Sequence, residues 1–112
     1  MQQSNDSPYM IAFCTCPPDK AADIAHVLVR KRVCACVNVV PRMLSVYTWK
    51  GSVEEDDESL LVIKTRADRL DALESAVAEV HPYEVFELVA CRLESGSQPY
   101  LRWMDACLGP QG

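Results

Sequence analysis

The chain has 112 residues, 49% hydrophobic and 24% charged, and its 11 basic and 16 acidic side chains leave a net charge of -5. That size and composition suit one compact domain with a modest core. The acidic balance argues against nucleic-acid binding as the main task, because phosphate recognition needs a basic footprint, and no apolar run approaches membrane-spanning length.

Met1 to Pro8 is polar, with one acid and no basic n-region, and is expected to be a flexible tail on a single cytoplasmic domain spanning 1–112. Tyr9 to Cys16 is a short apolar run with Ile11 and Phe13, which predicts a strand. Pro17-Pro18-Asp19 turns it into a helix over about residues 20 to 32, with Asp19 the expected N-cap. Ala21, Ile24, Ala25 and Leu28 recur at helical spacing, and Arg30, Lys31 and Arg32 gather in the last turn. Cys34 to Val40 is apolar and β-branched, is broken at Pro41 and resumes from Leu44 to Trp49, which predicts one long strand with a bulge. Lys50-Gly51-Ser52 reverses the chain, and Val53 to Arg66 runs back, polar at first and continuously apolar through Leu60 to Ile63.

Leu70, Leu73, Val77 and Val80 make the stripe of a second helix, with Asp68 its expected cap. That helix stops at His81-Pro82-Tyr83-Glu84, where proline pushes the preceding histidine out of helical conformation and an imidazole, a phenol and a carboxylate meet in a loop. Either Pro82 merely ends the helix, or the loop carries chemistry. Phe86 to Leu93 predicts the last strand, and Pro99 to Leu108 a terminal helix with Tyr100 and Trp103.

The order β-α-β-β-α-β plus a short helix is the α+β ferredoxin-like sandwich with a long central hairpin. Its two middle strands are apolar on both faces, while both long helices cover only one. Burial against further copies is the economical outcome, which predicts a homo-oligomer.

Several residue groups could carry chemistry. Cys14-Thr15-Cys16 and Cys34-Ala35-Cys36 have the spacing of a four-thiolate zinc site, but the third strand is expected between them, leaving roughly 10 Å at about 4.8 Å per strand. Six cysteines in a chain with no export signal are expected as reduced, mostly buried thiols. The acidic run Glu54 to Glu58 lacks a calcium-loop pattern and reads as a solvated edge. Tyr47 and Trp49 could stack a ligand or anchor a partner subunit. Lys64-Thr65-Arg66 could meet an anion or pair with the acidic hairpin. His26 lies near the polar face of the first helix, with no partner by spacing. No nucleophile elbow, P-loop or HExxH is present.

Ala35-Cys36-Val37-Asn38, Ser45-Val46-Tyr47-x-Trp49-x-Gly51, Lys64-Thr65, His81-Pro82-Tyr83-Glu84 with Glu87, and Tyr100-Leu101-x-Trp103 closely resemble the CutA divalent-cation tolerance proteins. The likeness runs from about Phe13 to Met104. It implies a ferredoxin-like subunit, a homotrimer built through the long hairpin, a cytoplasmic setting and a non-enzymatic role linked to copper and other divalent metals. In copper-binding members a cysteine ending the first strand and a histidine at the helix end are implicated. On this chain those positions are Cys14, or Cys16 if the loop that follows is one residue short, and His81. Phe86 stands where the family usually has proline, and Arg42 where glycine commonly follows Pro41. An inter-subunit pocket would draw on Cys16, Trp49, Lys64, Tyr83, Glu84 and Glu87. The second reading is a PII-like signalling or scaffold trimer holding a small anionic ligand between subunits. An acylphosphatase-like enzyme on the same fold needs an arginine in the loop after the first strand, and Cys14 to Lys20 contains none.

Overall fold

Consecutive side chains on a strand point to opposite faces, so each apolar strand of this chain supplies two different rows. In the computed structural model, which describes residues 2–3 and 7–111, strand β1 (Tyr9–Cys16) is followed by α1 (Ala21–Arg30), β2 (Cys36–Trp49), β3 (Ser52–Arg66), α2 (Leu70–Val80), β4 (Leu88–Arg92) and α3 (Gln98–Leu108). The four strands form one antiparallel sheet in the order β2-β3-β1-β4. This is the ferredoxin-like order expected, with the two doubly apolar strands in the middle.

Register does the sorting. Cys14 faces Leu61 and Ala12 faces Ile63 across the central pair, and these residues pack with Ile24 and Leu28 of α1 and Leu73 and Val77 of α2 in one buried cluster. The other row, Ile11, Phe13, Leu60 and Val62, is only half-buried. α3 covers one corner of the sheet, where Leu101, Met104 and Leu108 pack against Ala35 and Tyr9.

β2 carries the bulge predicted at Pro41, between Val40 and Met43. At the tip, Trp49 pairs with Ser52, while Lys50 at φ 50° and Gly51 at φ 82° make the two-residue reversal. Two positive φ values in succession match the twist of a tight hairpin, and glycine takes its share without steric cost. α2 ends where proline demands it: His81 is extended, at φ -76° and ψ 133°.

Two capping expectations fail. Asp19 and Asp68 each fall inside a short 3-10 turn that precedes the helix, and neither helix has a side-chain cap. Asp68 instead grips Arg66, its carboxylate accepting from Nε and Nη2 at 3.1 and 3.2 Å. Arg66 is 1% exposed. Its Nη1 also donates to Asp105 on α3 at 3.0 Å and to the Gly109 carbonyl at 2.8 Å. Arg66 therefore belongs to the interior, not to an anion site or to the acidic hairpin. Arg69 donates to the carbonyls of Leu108 and Pro110, and Arg32 to that of Cys107. Three arginines thus meet the carbonyl end of α3, where the helix dipole is negative.

The expected tail over Met1 to Pro8 falls partly outside the described residues. Within it, Gln2–Gln3 pairs antiparallel with Ser95–Gly96, and Ser7 is buried. Among the described residues no helix is long and apolar enough to cross a membrane.

Removing Arg66 takes its charged donors from Asp68, from Asp105, which keeps the Tyr9 hydroxyl, and from the Gly109 and Pro110 carbonyls, the latter keeping Arg69. Arg66→Ala is therefore expected to cost about 3–5 kcal/mol, the range for breaking a buried ion pair from one side, read as a lowered urea midpoint with loss of α3 protection in amide exchange.

Candidate functional site

β1 ends against the loop that follows α2, and the side chains singled out in sequence meet there. Cys14 is 0% exposed and His81 is 8% exposed. Both reach the same backbone atom. The His81 Nε2 lies 2.7 Å from the Thr15 carbonyl oxygen, and the Cys14 thiol donates to that oxygen at 3.8 Å. The Tyr83 backbone N–H donates to His81 Nδ1 at 3.1 Å, so Nδ1 holds the lone pair and Nε2 the proton given to Thr15. Phe86 stacks on the imidazole at 5.3 Å and 25°, and the Tyr83 ring lies 4.8 Å away. The phenylalanine that departs from the family pattern is thus a packing partner of the histidine.

Burial governs the thiols. All six cysteines are free. Desolvation pushes Cys14 and Cys34 up from the ordinary 9.0 to about 12, and Cys16 to about 11, with nearby Glu58 adding to the rise at Cys14 and Cys16. The four-thiolate zinc arrangement is absent, because β3 separates the two pairs as the strand order requires. Among the described residues no group of three or more His, Cys, Asp or Glu side chains is arranged to hold a metal. Cys14 and His81 therefore bring a soft, protonated thiol and an imidazole to the same carbonyl oxygen, with no third side-chain ligand arranged beside them among the described residues.

A second feature opens beside this pair. Tyr47, Trp49, Asp56, Tyr83, Glu84 and Val85 line a cleft of about 300 Å³. Tyr47 and Trp49 share a strand face at i, i+2, and Asp56 is the diagonal neighbour of Tyr47, since Tyr47 pairs with Glu54 and Ser45 with Asp56. The Tyr47 hydroxyl donates to Asp56, and that bond holds the phenol up at about 12. Desolvation and the neighbouring Glu58 and Asp56 likewise raise Tyr83.

Of the six residues expected in a pocket, the cleft of one chain gathers Trp49, Tyr83 and Glu84. Cys16 is buried beneath, and Glu87 acts on the Cys14 thiol. Lys64 lies apart, bonded to Asn38 on the half-buried sheet face. Asp56 and Glu58 were hidden inside the acidic run read as solvated. Glu58 is in fact 7% exposed, and only the hairpin register, counted from Lys50-Gly51, distinguishes these two acids from their neighbours. His26 is exposed, as its place on α1 implies.

Comparison with known proteins decides the family. Residues 10–107 match the family model described as the CutA1 divalent ion tolerance protein. The chain belongs to the CutA1 family. It is 51% identical over 94 residues to the "Protein CutA homolog" of Xenopus laevis, covering 83% of this chain and 62% of that relative. It spans 52 to 62% of the length of the frog, mouse, human and cattle CutA relatives. The divalent cation tolerance protein of Thermus thermophilus superposes with a TM-score of 0.87 at 39% identity, over 90% of this chain and 99% of that one. The protein described as "PII-like protein CutA" from Nostoc sp. PCC 7120 superposes with a TM-score of 0.83 at 29% identity, over 89% of this chain and 97% of that one. The CutA1 relationship agrees with the ferredoxin-like sheet.

The buried thiols make stability pH-dependent in a definite direction. From about pH 9 the unfolded chain ionises its cysteines while the folded chain keeps Cys14 and Cys34 protonated, so protons bind more to the folded state and stability falls as pH rises toward about 12. Each such thiol contributes a slope of about 1.4 kcal/mol per pH unit within that window. Denaturant midpoints measured across it should fall, and the fall should be shallower in Cys14→Ala/Cys34→Ala.

Proposed function

We propose that this CutA1 chain acts without catalysis in divalent-cation tolerance, as a homotrimer, and that Cys14 and His81 are the residues through which it meets copper or another soft divalent ion. The convergence of thiol and imidazole on the Thr15 carbonyl carries this reading. A thiolate with an imidazole is a donor set that suits copper. Because the ion must displace a thiol proton held up at about 12, binding is proton-coupled and strengthens with rising pH.

The assembly is supported by the uncovered apolar surface. Leu44 and Val46 are each 60% exposed and Val53 is 74% exposed along the hairpin, and Val89 is 54% exposed beside Phe13 on the sheet face that α3 covers only at a corner. Exposed apolar surface of this kind is what a subunit interface would cover. A PII-like trimer binding a small anionic ligand between subunits is the second reading, favoured by the likeness to the Nostoc protein. Thermal-shift screening with nucleotides and organic anions tests it.

Copper titration of the wild type should show binding that tightens as pH rises, and Cys14→Ser and His81→Ala should each weaken it by at least about tenfold, in line with loss of a ligand or of its supporting contacts. Matching stoichiometry and affinity in both variants would sink the metal assignment. Light scattering at micromolar concentration should give three times the chain mass, and Leu44→Asp/Val46→Asp should lower it; a wild-type monomer removes the assembly from the reading.

A further inference from the structure

The cleft at the hairpin has a chemistry different from that of the Cys14–His81 pair. Three of its six lining residues are aromatic, Tyr47, Trp49 and Tyr83; two are carboxylates, Asp56 and Glu84; and Val85 completes an apolar wall. None is basic. Among the described residues neither carboxylate takes part in an ion pair. Glu58 stands close enough to Tyr83 to act on its phenol, so the surrounding field is negative as well.

Three ligand classes can be weighed against this lining. A phosphate or organic anion would face two carboxylates, and the one cation at the rim, Lys50, lies over the Trp49 ring, while Lys64 is bonded to Asn38 and Arg66 is enclosed by Asp68 and Asp105. A hard divalent ion wants six or more oxygens in a shell, and half of this lining is aromatic ring. A weakly hydrated organic cation wants what is present: ring faces that attract positive charge, and carboxylates to neutralise it. One ring of the cleft already faces a cation, because the Lys50 ammonium lies 5.9 Å from the Trp49 ring centroid. The volume of about 300 Å³ is at the small end of ligand pockets.

We propose that the cleft formed by Tyr47, Trp49 and Tyr83, with Asp56 and Glu84, binds a small organic ammonium ion, a quaternary ammonium of choline size being the type ligand. The rings surround the alkyl groups, and the carboxylates supply the countercharge. The Tyr47 hydroxyl is held by Asp56, which fixes both side chains before the ligand arrives and lowers the ordering cost of binding. The site stands independently of the metal reading.

Calorimetric titration of the full chain with choline chloride tests the proposal. The expected result is saturable binding to one site per chain, with the neutral isostere carrying carbon in place of the ammonium nitrogen at least about tenfold weaker. Inorganic phosphate should give no saturable heat. Trp49→Leu and Asp56→Asn should each weaken choline binding by about tenfold, while Trp49→Phe, which restores a ring, should recover most of it. Circular dichroism and light scattering confirm that each variant is folded and assembled like the wild type. Copper titration of Trp49→Leu should match the wild type, so that loss of one ligand is separable from loss of the other. Absent or non-saturable choline heat, equal binding of the isostere, preferential phosphate binding, or variants with unchanged choline affinity would overturn the proposal.

Discussion

Strand parity in the central pair is the constraint from which the rest follows. β1 and β3 are apolar on both faces, and their register puts Ala12, Cys14, Leu61 and Ile63 beneath the helices while committing Ile11, Phe13, Leu60 and Val62 to the other side. A slip of one residue would exchange the two rows. Two helices of 10 and 11 residues can cover one face, and α3 closes only a corner of the other. The long hairpin then extends past the helix-covered sheet with Leu44, Val46 and Val53 in solvent. The same register that builds the core creates the surface that calls for a partner.

That parity also sets the chemistry of the candidate site. Cys14 shares its row with the core, so its thiol is desolvated and its proton tightly held. Thr15, one residue on, ends the alternation near the strand terminus, and its carbonyl is left for His81. Burying a polar carbonyl without a partner costs free energy, and the imidazole removes that cost. The histidine is therefore structural and chemical at once: it satisfies the strand end, is held by Tyr83 and Phe86, and shares its acceptor with the Cys14 thiol.

Much of the fold is legible in the sequence because it is written in local patterns. Apolar periodicity marks both long helices, Pro41 marks the bulge, Lys50-Gly51 marks the reversal and Pro82 marks the helix stop. The capping residues are misread because Asp68 has a stronger partner than a helix N-terminus: the buried guanidinium of Arg66, two residues away. No local pattern reveals that Arg66 also meets Asp105, 39 residues further on. His81 and Cys14 are legible as neighbours from element order and family likeness, but the carbonyl between them is not, since backbone acceptors leave no mark in sequence. Asp56 and Glu58 are illegible for a different reason. Five consecutive acids look alike until the hairpin register assigns each a cross-strand neighbour.

The charge distribution along β3 ties these features together. Asp56 and Arg66 are separated by ten residues, roughly 33 Å of strand at about 3.3 Å per residue, well beyond the screening length of about 8 Å at physiological salt. At one end Arg66 and Arg69, joined by Arg32, are spent on the carbonyl terminus of α3 and on two carboxylates. At the other, Glu54, Asp56 and Glu58 surround Tyr47 and Tyr83. The net charge of -5 is therefore expressed mainly toward the hairpin end, where Arg42 pairs with Asp57 and Lys50 lies over Trp49 but neither meets Asp56 or Glu84 in an ion pair, and the distant arginines are out of reach. With Arg42 and Lys50 already engaged, the carboxylates of the cleft favour a ligand that brings positive charge, whereas an anion would need further cations delivered by a neighbouring copy.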